Sequence, residues 1–133
     1  LDLVDTVGQF CLLTRRLARL KHISLTAGDP GPANEKICLT TNPVQFYMAL
    51  FFSLESCLTA LPANTEIRVT PQKRGEQSPA IEFACTGGKL PLAEAFFQQL
   101  QEAEAWGELG DVIGRLAGKV ECDTNDLRFR LIF

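Results

Sequence analysis

A long apolar helix is predicted at residues 42–60, which read NPVQFYMALFFSLESCLTA. Asn42 can cap the free amides of a first turn, and Pro43 suits the first helical position, so the helix should begin here. It should end near Ala60, because Pro62 cannot continue a helix. The residues between are apolar on nearly every side, which is typical of a helix at the centre of a domain.

The flanking segments have the hydrophobic periods of further helices and strands. A first helix is indicated by apolar residues spaced three or four apart, namely Leu3, Val7, Phe10, Leu13, Leu17 and Leu20. Short strands at residues 23–27 and 37–40 precede the central helix. After it, alternating residues predict a hairpin over 66–85, then helices at 92–104 and 109–117 divided near Gly107, and a final hairpin from Val120 to Phe133.

This order of elements predicts an α+β two-layer sandwich. The sheet should be mixed, with five or six strands, and about four helices should lie mainly on one face. A chain of 133 residues is the usual size of one domain, so residues 1–133 are expected to form a single domain. Because the first residue is Leu1, we also expect the chain to be a processed product or a fragment of a longer protein.

Composition argues against several classes of protein. The net charge is −3, whereas a nucleic-acid binder needs a basic face, so no nucleic-acid partner is expected. The longest apolar run, residues 48–52, is too short to cross a bilayer, and no membrane contact is expected. The five cysteines lie within apolar helix or strand patterns and are expected to be buried, reduced thiols. Reduced thiols favour a cytoplasmic location.

No complete catalytic or metal-binding constellation is visible. His22 is the single histidine, so any hydrolase triad would have to use it, and a structural or surface role is the better interpretation. The cysteines form no C-x-x-C pair, the usual sign of a zinc or redox site. Residues 87–89, Gly-Gly-Lys, could hold an anion but are better explained as a strand-to-helix turn.

Two features of the third and fourth helices have alternative interpretations. Four acidic residues form either a solvated face or a docking surface for a basic partner: Glu94, Glu102, Glu104 and Glu108. The aromatic residues Phe96, Phe97 and Trp106 are either core or, where exposed, anchors for a partner.

Several segments resemble the ATP-binding domain of sensor histidine kinases, part of the GHKL ATPase group. Residues 1–5 (LDLVD) followed by 21–25 (KHISL) are similar to the way that domain opens. Residues 51–58 (FFSLESCL) match its asparagine-rich helix, and 81–88 (IEFACTGG) match its strand ending in Asp-x-Gly. Residues 118–121 (GKVE) resemble the start of its final hairpin. The resemblance covers nearly the whole chain and implies a histidine-kinase-like ATPase fold.

The nucleotide-binding residues of that family are altered here. The Asn that holds Mg²⁺ corresponds to Ser56, the polar or acidic residue one turn earlier to Phe52, and the adenine-binding Asp to Cys85. Gly87 is retained, whereas the glycine-rich lid is missing. The counterparts of the nucleotide site are therefore Ser56, Cys85, Thr86, Gly87 and Gly88.

These changes remove groups on which the family's chemistry depends. Mg²⁺ requires hard oxygen ligands, and a thiol is a poor acceptor beside a carboxylate. Phosphoryl transfer is nearly all positioning and charge neutralisation. We therefore expect no catalytic residues, no metal site, no resident cofactor and no kinase activity, and ATP with Mg²⁺ would bind only if the divergent site still works.

The leading hypothesis is a degenerate ATPase-like domain that docks or regulates in a two-component pathway. Its partner would be a response regulator or a kinase protein, and a homodimer is a further option. One alternative is a functional but divergent ATP-binding domain of a sensor histidine kinase or an anti-sigma-factor-like kinase. Another is an unrelated α+β interaction domain, which the strand order would reveal.

Overall fold

The computed structural model describes residues 1–30, 36–73, 78–123 and 125–133. Four helices and five strands occur in these ranges. The helices are α1 (Leu3–Leu20), α2 (Pro43–Ala60), α3 (Ala93–Glu102) and α4 (Glu104–Arg115). The strands are β1 (Ser24–Ala27), β2 (Glu66–Lys73), β3 (Pro79–Thr86), β4 (Lys119–Asp123) and β5 (Arg128–Ile132).

The strands form one mixed sheet in the order β1-β2-β3-β5-β4. Only β1 and β2 pair in parallel, and the other neighbours are antiparallel. The final hairpin therefore lies beside the central one, with Phe83 opposite Phe129 and Cys85 opposite Ile67. This strand order confirms the predicted fold class and removes the basis for an unrelated α+β domain.

Local signals explain where the two long helices begin. The Asn42 side-chain oxygen accepts a hydrogen bond from the Gln45 N–H at 3.1 Å, and α2 starts at Pro43 and ends at Ala60 as predicted. Asp2 caps α1 in the same way by accepting from the Val4 and Asp5 amides at 3.0 and 3.3 Å. Such caps satisfy amides that have no partner within the helix.

The helices and the inner face of the sheet enclose one hydrophobic core. Inward residues alternate along the strands, with Phe83 stacked on Phe129 at a ring separation of 5.2 Å. On the other side of the sheet, Arg130 pairs with Glu82 at 3.0 Å, while Arg128 also faces outward. The predicted inward and outward sides of the last strand are therefore confirmed.

The strand predicted at residues 37–40 is wrong. Only Cys38 forms a bridge, and its partner is Asp2, just before α1. The Leu3 amide donates to the Ile37 carbonyl and the Leu39 amide to the Leu1 carbonyl, at 2.8 and 2.9 Å. α1 begins at Leu3, directly after Asp2, so the pairing cannot continue along the chain in that direction.

The helix break near Gly107 is also wrong, because the chain turns at Ala103 instead. Ala103 has an extended conformation, with φ −70° and ψ 133°, and it both ends α3 and precedes α4. Gly107 lies inside α4 on the exposed side, where a glycine costs only about 1 kcal/mol relative to alanine. The earlier turn lets Leu100 and Leu109 both reach the core, where each is fully buried.

The leucines of α1 do not all face the core as predicted. Leu3, Val7 and Phe10 are buried, but Leu13 and Leu20 are 76% and 74% exposed. Leu17 is 42% exposed, and the inner positions of the later turns are instead taken by smaller residues, Cys11, Thr14 and Ala18. The apolar arc of this helix is thus wider than the surface that the sheet covers.

The cysteines differ in their environments. Cys11, Cys57 and Cys85 are buried, but Cys38 and Cys122 are exposed, which corrects the prediction that all five are buried. Cys122 lies on the edge strand β4 and Cys38 in the bridge at the surface. All five are free thiols. Among the helices of the described ranges, none has the length and apolar character needed to span a membrane.

Candidate functional site

The predicted nucleotide-site residues come from two elements. Ser56 lies in the last third of α2, while Cys85 and Thr86 end β3 and Gly87 and Gly88 form the turn that follows. These positions are at the end of a central strand and on the long central helix. Their local geometry decides what each side chain can bind.

Ser56 is turned away from any ligand. It is fully buried, and its hydroxyl donates a hydrogen bond of 2.7 Å to the carbonyl oxygen of Phe52 in its own helix. Phe52, which stands where the family has a polar or acidic group, packs against the hydrophobic core. Across the described ranges, no group of three or more His, Cys, Asp or Glu side chains is placed to hold a metal ion.

Cys85 packs at the inner end of the site against a second thiol. Its side chain is 5% exposed, and it hydrogen-bonds to Cys57 of α2, which is fully buried. Burial raises the pKa of the Cys57 thiol well above its usual value, and the interaction with Cys85 raises this pKa further. The Cys57 thiol therefore stays protonated at neutral pH. At position 85 a thiol is also a much weaker hydrogen-bond acceptor than a carboxylate.

The two glycines after β3 serve a tight turn. Both have positive φ, 79° at Gly87 and 56° at Gly88, a conformation that other residues adopt at a cost. A Cβ on Gly88 would stand 2.5 Å from the Asn64 carbonyl oxygen, so the backbones of two turns meet here. This close approach accounts for Gly88 without a ligand and supports the turn interpretation of residues 87–89.

An open cleft of ≈ 570 Å³ lies beside the end of β3. Cys85, Thr86 and Gly87 line it together with residues 90–93 and 125–128, whereas Ser56 does not. The structure thus brings together only part of the predicted set.

The charged groups of this cleft are paired with each other. Arg128 donates to Asp123 at 2.9 Å and lies 3.1 Å from Asp126. Hydrogen bonds from the Asn125 amide and from Arg128 lower the pKa of Asp123, and the bond to Asp123 raises the pKa of Arg128. Binding a phosphate to this guanidinium would require separating it from two carboxylates.

A second cleft, of ≈ 500 Å³, separates α2 from the turn between α3 and α4. Phe52, Glu55 and Thr59 line one side, and Glu104 and Glu108 lie on the other. The three glutamates are exposed, so the cleft carries negative charge and disfavours phosphates.

The predicted acidic residues Glu94, Glu102, Glu104 and Glu108 are all exposed, as a solvated face requires. Sequence reasoning missed Glu55, which joins this acidic group only because α2 packs beside α4.

The remaining candidates have structural roles. His22 is exposed at the junction of α1 and β1, with a positive φ of 58°. Phe96 and Phe97 are buried, and Trp106 packs edge-on against Phe129 at a ring separation of 5.1 Å. The core interpretation of these aromatics is therefore confirmed.

The surface that sequence reasoning missed lies between α1 and α2. Leu13 of α1 and Val44, Met48 and Phe51 of α2 border an apolar groove there. The available signal was the width of the apolar arcs on both helices. On α2 that arc nearly surrounds the helix, and the sheet and α4 cannot cover all of it.

Comparison with known proteins bears on the fold. No protein-family model matches the sequence, and no curated protein matches it either. The nucleotide-free catalytic domain of histidine kinase ThkA superposes with a TM-score of 0.69 at 16% identity, covering 100% of this chain and 92% of that chain. The mycobacterial sensor histidine kinase MprB gives a TM-score of 0.63 at 9% identity, covering 100% and 94%.

A third structure contains a partner. Histidine kinase ThkA in complex with the response regulator protein TrrA gives a TM-score of 0.62 at 16% identity, covering 100% of this chain and 40% of that chain. At these identities the likeness concerns the fold. This chain is similar throughout its length to the catalytic, ATP-binding domain of sensor histidine kinases.

Proposed function

We propose that this chain is a degenerate histidine-kinase-type ATPase-like domain that acts as a docking or regulatory module in cytoplasmic two-component signalling. The observation that carries the proposal is the state of Ser56. Its side chain is fully buried, so its oxygen has no exposed side that Mg²⁺ could reach, and its proton is donated to the Phe52 carbonyl at 2.7 Å. The proposed domain therefore has no resident cofactor and no kinase activity.

Two further features support the same proposal. The thiols of Cys57 and Cys85 occupy the inner end of the site, where two mostly buried thiols, which are weak hydrogen-bond acceptors, cannot replace a carboxylate. Losing a charge-assisted hydrogen bond to a purine costs about 1.5–3 kcal/mol, or roughly 10–150-fold in affinity. The glutamates of the cleft between α2 and α4 add repulsion toward phosphates.

The proposed partner is a response regulator or a kinase protein. Support comes from the histidine kinase ThkA, whose solved complex with a response regulator contains a domain of this fold. A second copy of this chain is the alternative partner. A docking contact depends on surface residues and not on the interior of the site, so loss of nucleotide binding does not by itself remove it.

Calorimetric titration with ADP and Mg²⁺ tests the proposal. We expect no binding tighter than about 1 mM, whereas micromolar affinity would overturn the degeneracy of the site. The single tryptophan, Trp106, packs on Phe129 in the core, so its fluorescence during urea unfolding shows that the protein used in the titration is folded.

A divergent nucleotide site is the second candidate function. The observation in its favour is the open cleft of ≈ 570 Å³ that Thr86 and Gly87 line. This alternative predicts that ADP binds and that the Thr86→Val variant, which keeps the side-chain shape but loses the hydroxyl, binds more weakly. Equal and negligible binding by both proteins removes it.

A further inference from the structure

The groove between α1 and α2 has exposed apolar side chains along its walls. It measures ≈ 490 Å³, and its lining includes Phe10, Leu13, Val44, Tyr47, Met48 and Phe51. Leu13 is 76% exposed and Val44 69%, and Met48 and Phe51 are each 37% exposed. Large apolar side chains scattered singly on a surface are ordinary, but a contiguous set marks an interaction site.

The apolar surface continues along α1 beyond the groove. Leu13, Leu17 and Leu20 follow one another at helical spacing, and all are exposed. Leaving such side chains in water costs about 25 cal/mol for each Å² that a partner would cover. The stripe therefore extends the groove into a surface long enough for several turns of a helix. We call the groove and this stripe together the α1–α2 surface.

The charges beside the α1–α2 surface have one sign. Arg16 lies three residues after Leu13 and four before Leu20, and Lys21 lies four after Leu17, so these two exposed cations border the stripe. Arg15 and Arg19 face away from it and line a separate cleft with His22 and Asn64. The groove half of α2 carries no charged residue, because the only charge in this helix is Glu55, which lies at the cleft shared with α4. A partner that covers the leucines therefore meets Arg16 and Lys21 at its edge.

From this arrangement we propose that the α1–α2 surface receives an amphipathic helix of a signalling partner, with aliphatic residues on one face and Asp or Glu flanking them. The proposal rests on the docking role and names the surface that carries it. A helix is the matching shape, because two helices form the walls and their backbone groups are already bonded internally, so a strand could not add to them. Acidic flanks match Arg16 and Lys21 and would speed association.

A second copy of this chain fits the surface less well. A twofold contact through the α1–α2 surface would bring the same patch of both copies together. Arg16 and Lys21 of each copy would then lie at an edge that carries the same positive charge, which opposes association. Self-association through this surface is therefore an outcome that contradicts the proposal.

Designed peptides provide the test. The probe is a fluorescein-labelled helix of about 18 residues with Leu at every third or fourth position and Glu beside the leucines, which is the anchor spacing of helix-in-groove recognition. A second peptide replaces each Glu by Lys. Anisotropy titration should give micromolar binding of the Glu peptide and at least about tenfold weaker binding of the Lys peptide. About 0.5 M NaCl should weaken binding of the Glu peptide, because it screens exposed charges.

Variants of the protein locate the contact. Val44→Glu places a charge in the groove at an exposed position, so the protein should still fold, and we expect at least about tenfold weaker binding of the Glu peptide. Leu92→Glu is the matched control, because Leu92 is 81% exposed but lies at the start of α3, and binding should change less than about twofold.

Three results would overturn the proposal. They are no binding of the Glu peptide, equal weakening by Val44→Glu and Leu92→Glu, and a dimer in sedimentation that Val44→Glu dissociates. Nucleotide titration is independent of these results. Peptide binding together with micromolar ADP affinity would support the α1–α2 surface and reject the degenerate site. No peptide binding together with no ADP binding would reject the α1–α2 surface and support the degenerate site.

Discussion

Replacing Cys85 by aspartate should destabilise the folded chain, and the loss should grow with pH. The variant places a carboxyl at the position that we propose corresponds to the adenine-binding Asp of the histidine kinases. In this structure the position is 5% exposed, and its side-chain partner is the fully buried thiol of Cys57. A carboxylate placed there would lose most of its water without gaining a positive partner.

The size of the effect follows from how far burial raises the pKa of the new carboxyl. Fully buried groups shift by roughly three to five units, and the residual exposure of this site suggests about two, from near 4 unfolded to near 6 folded. Because the pKa of the carboxyl is higher in the folded than in the unfolded protein, the loss of stability appears as the pH rises from about 4 to about 6. The cost should be about 1.5 kcal/mol at pH 5 and about 3 kcal/mol at pH 8.

Urea unfolding at the two pH values, followed by the fluorescence of Trp106, measures this difference. Cys85→Asn is the matched control, since it has nearly the same shape and cannot ionise, and its loss of stability should be equal at both pH values. Subtracting the control isolates the cost of the charge. A loss for Cys85→Asp that matches the control at pH 5 and pH 8 would refute the reasoning, because it would mean that the site is solvated and still open to a polar ligand.

Three further predictions concern stability and thiol reactivity. Arg130→Ala should cost about 2–4 kcal/mol in urea unfolding, because it leaves Glu82, whose side chain is 11% exposed, without its 3.0 Å partner, and the double variant with Glu82→Leu should recover part of this loss. Asn42→Ala should cost about 1 kcal/mol through loss of the cap of α2, and an unchanged unfolding midpoint would contradict that role. Iodoacetamide at pH 8, with peptide mass spectrometry, should modify exposed Cys38 well before Cys11, because burial raises the pKa of Cys11 to about 11, and equal rates in the folded protein would show that Cys11 is accessible.

Local sequence was sufficient where a signal and its consequence lie within a few residues. Asn42 and Pro43 start α2, and alternation along β3 and β5 places Phe83 and Phe129 on the same face of the sheet. Residue period and cap chemistry depend on the chain's own backbone geometry, so they need no knowledge of distant residues. The element order was specific enough to indicate a histidine-kinase-like fold, which the structure has.

Features that depend on contacts between distant segments were not predictable in the same way. The residues 37–40 look like a strand, but the segment that pairs with them at Asp2 enters α1 at Leu3 and cannot extend the ladder. The arc of leucines on α1 is continuous in sequence, yet the sheet covers only one side of it and leaves Leu13 and Leu20 in water. In both cases the extent of the neighbouring segment decides whether the predicted strand pairs or the predicted core residue is buried.

The candidate site shows the same division between local and distant information. Through the resemblance to histidine kinases, the residue types at 56 and 85 predict that the metal and purine ligands are replaced. Whether those side chains still face a cavity depends on how α2 packs against β3, and here the packing buries Ser56 against its own helix and Cys85 against Cys57. Burial is a property of the assembled layers, because a side chain is removed from water only by neighbours that the chain brings from elsewhere.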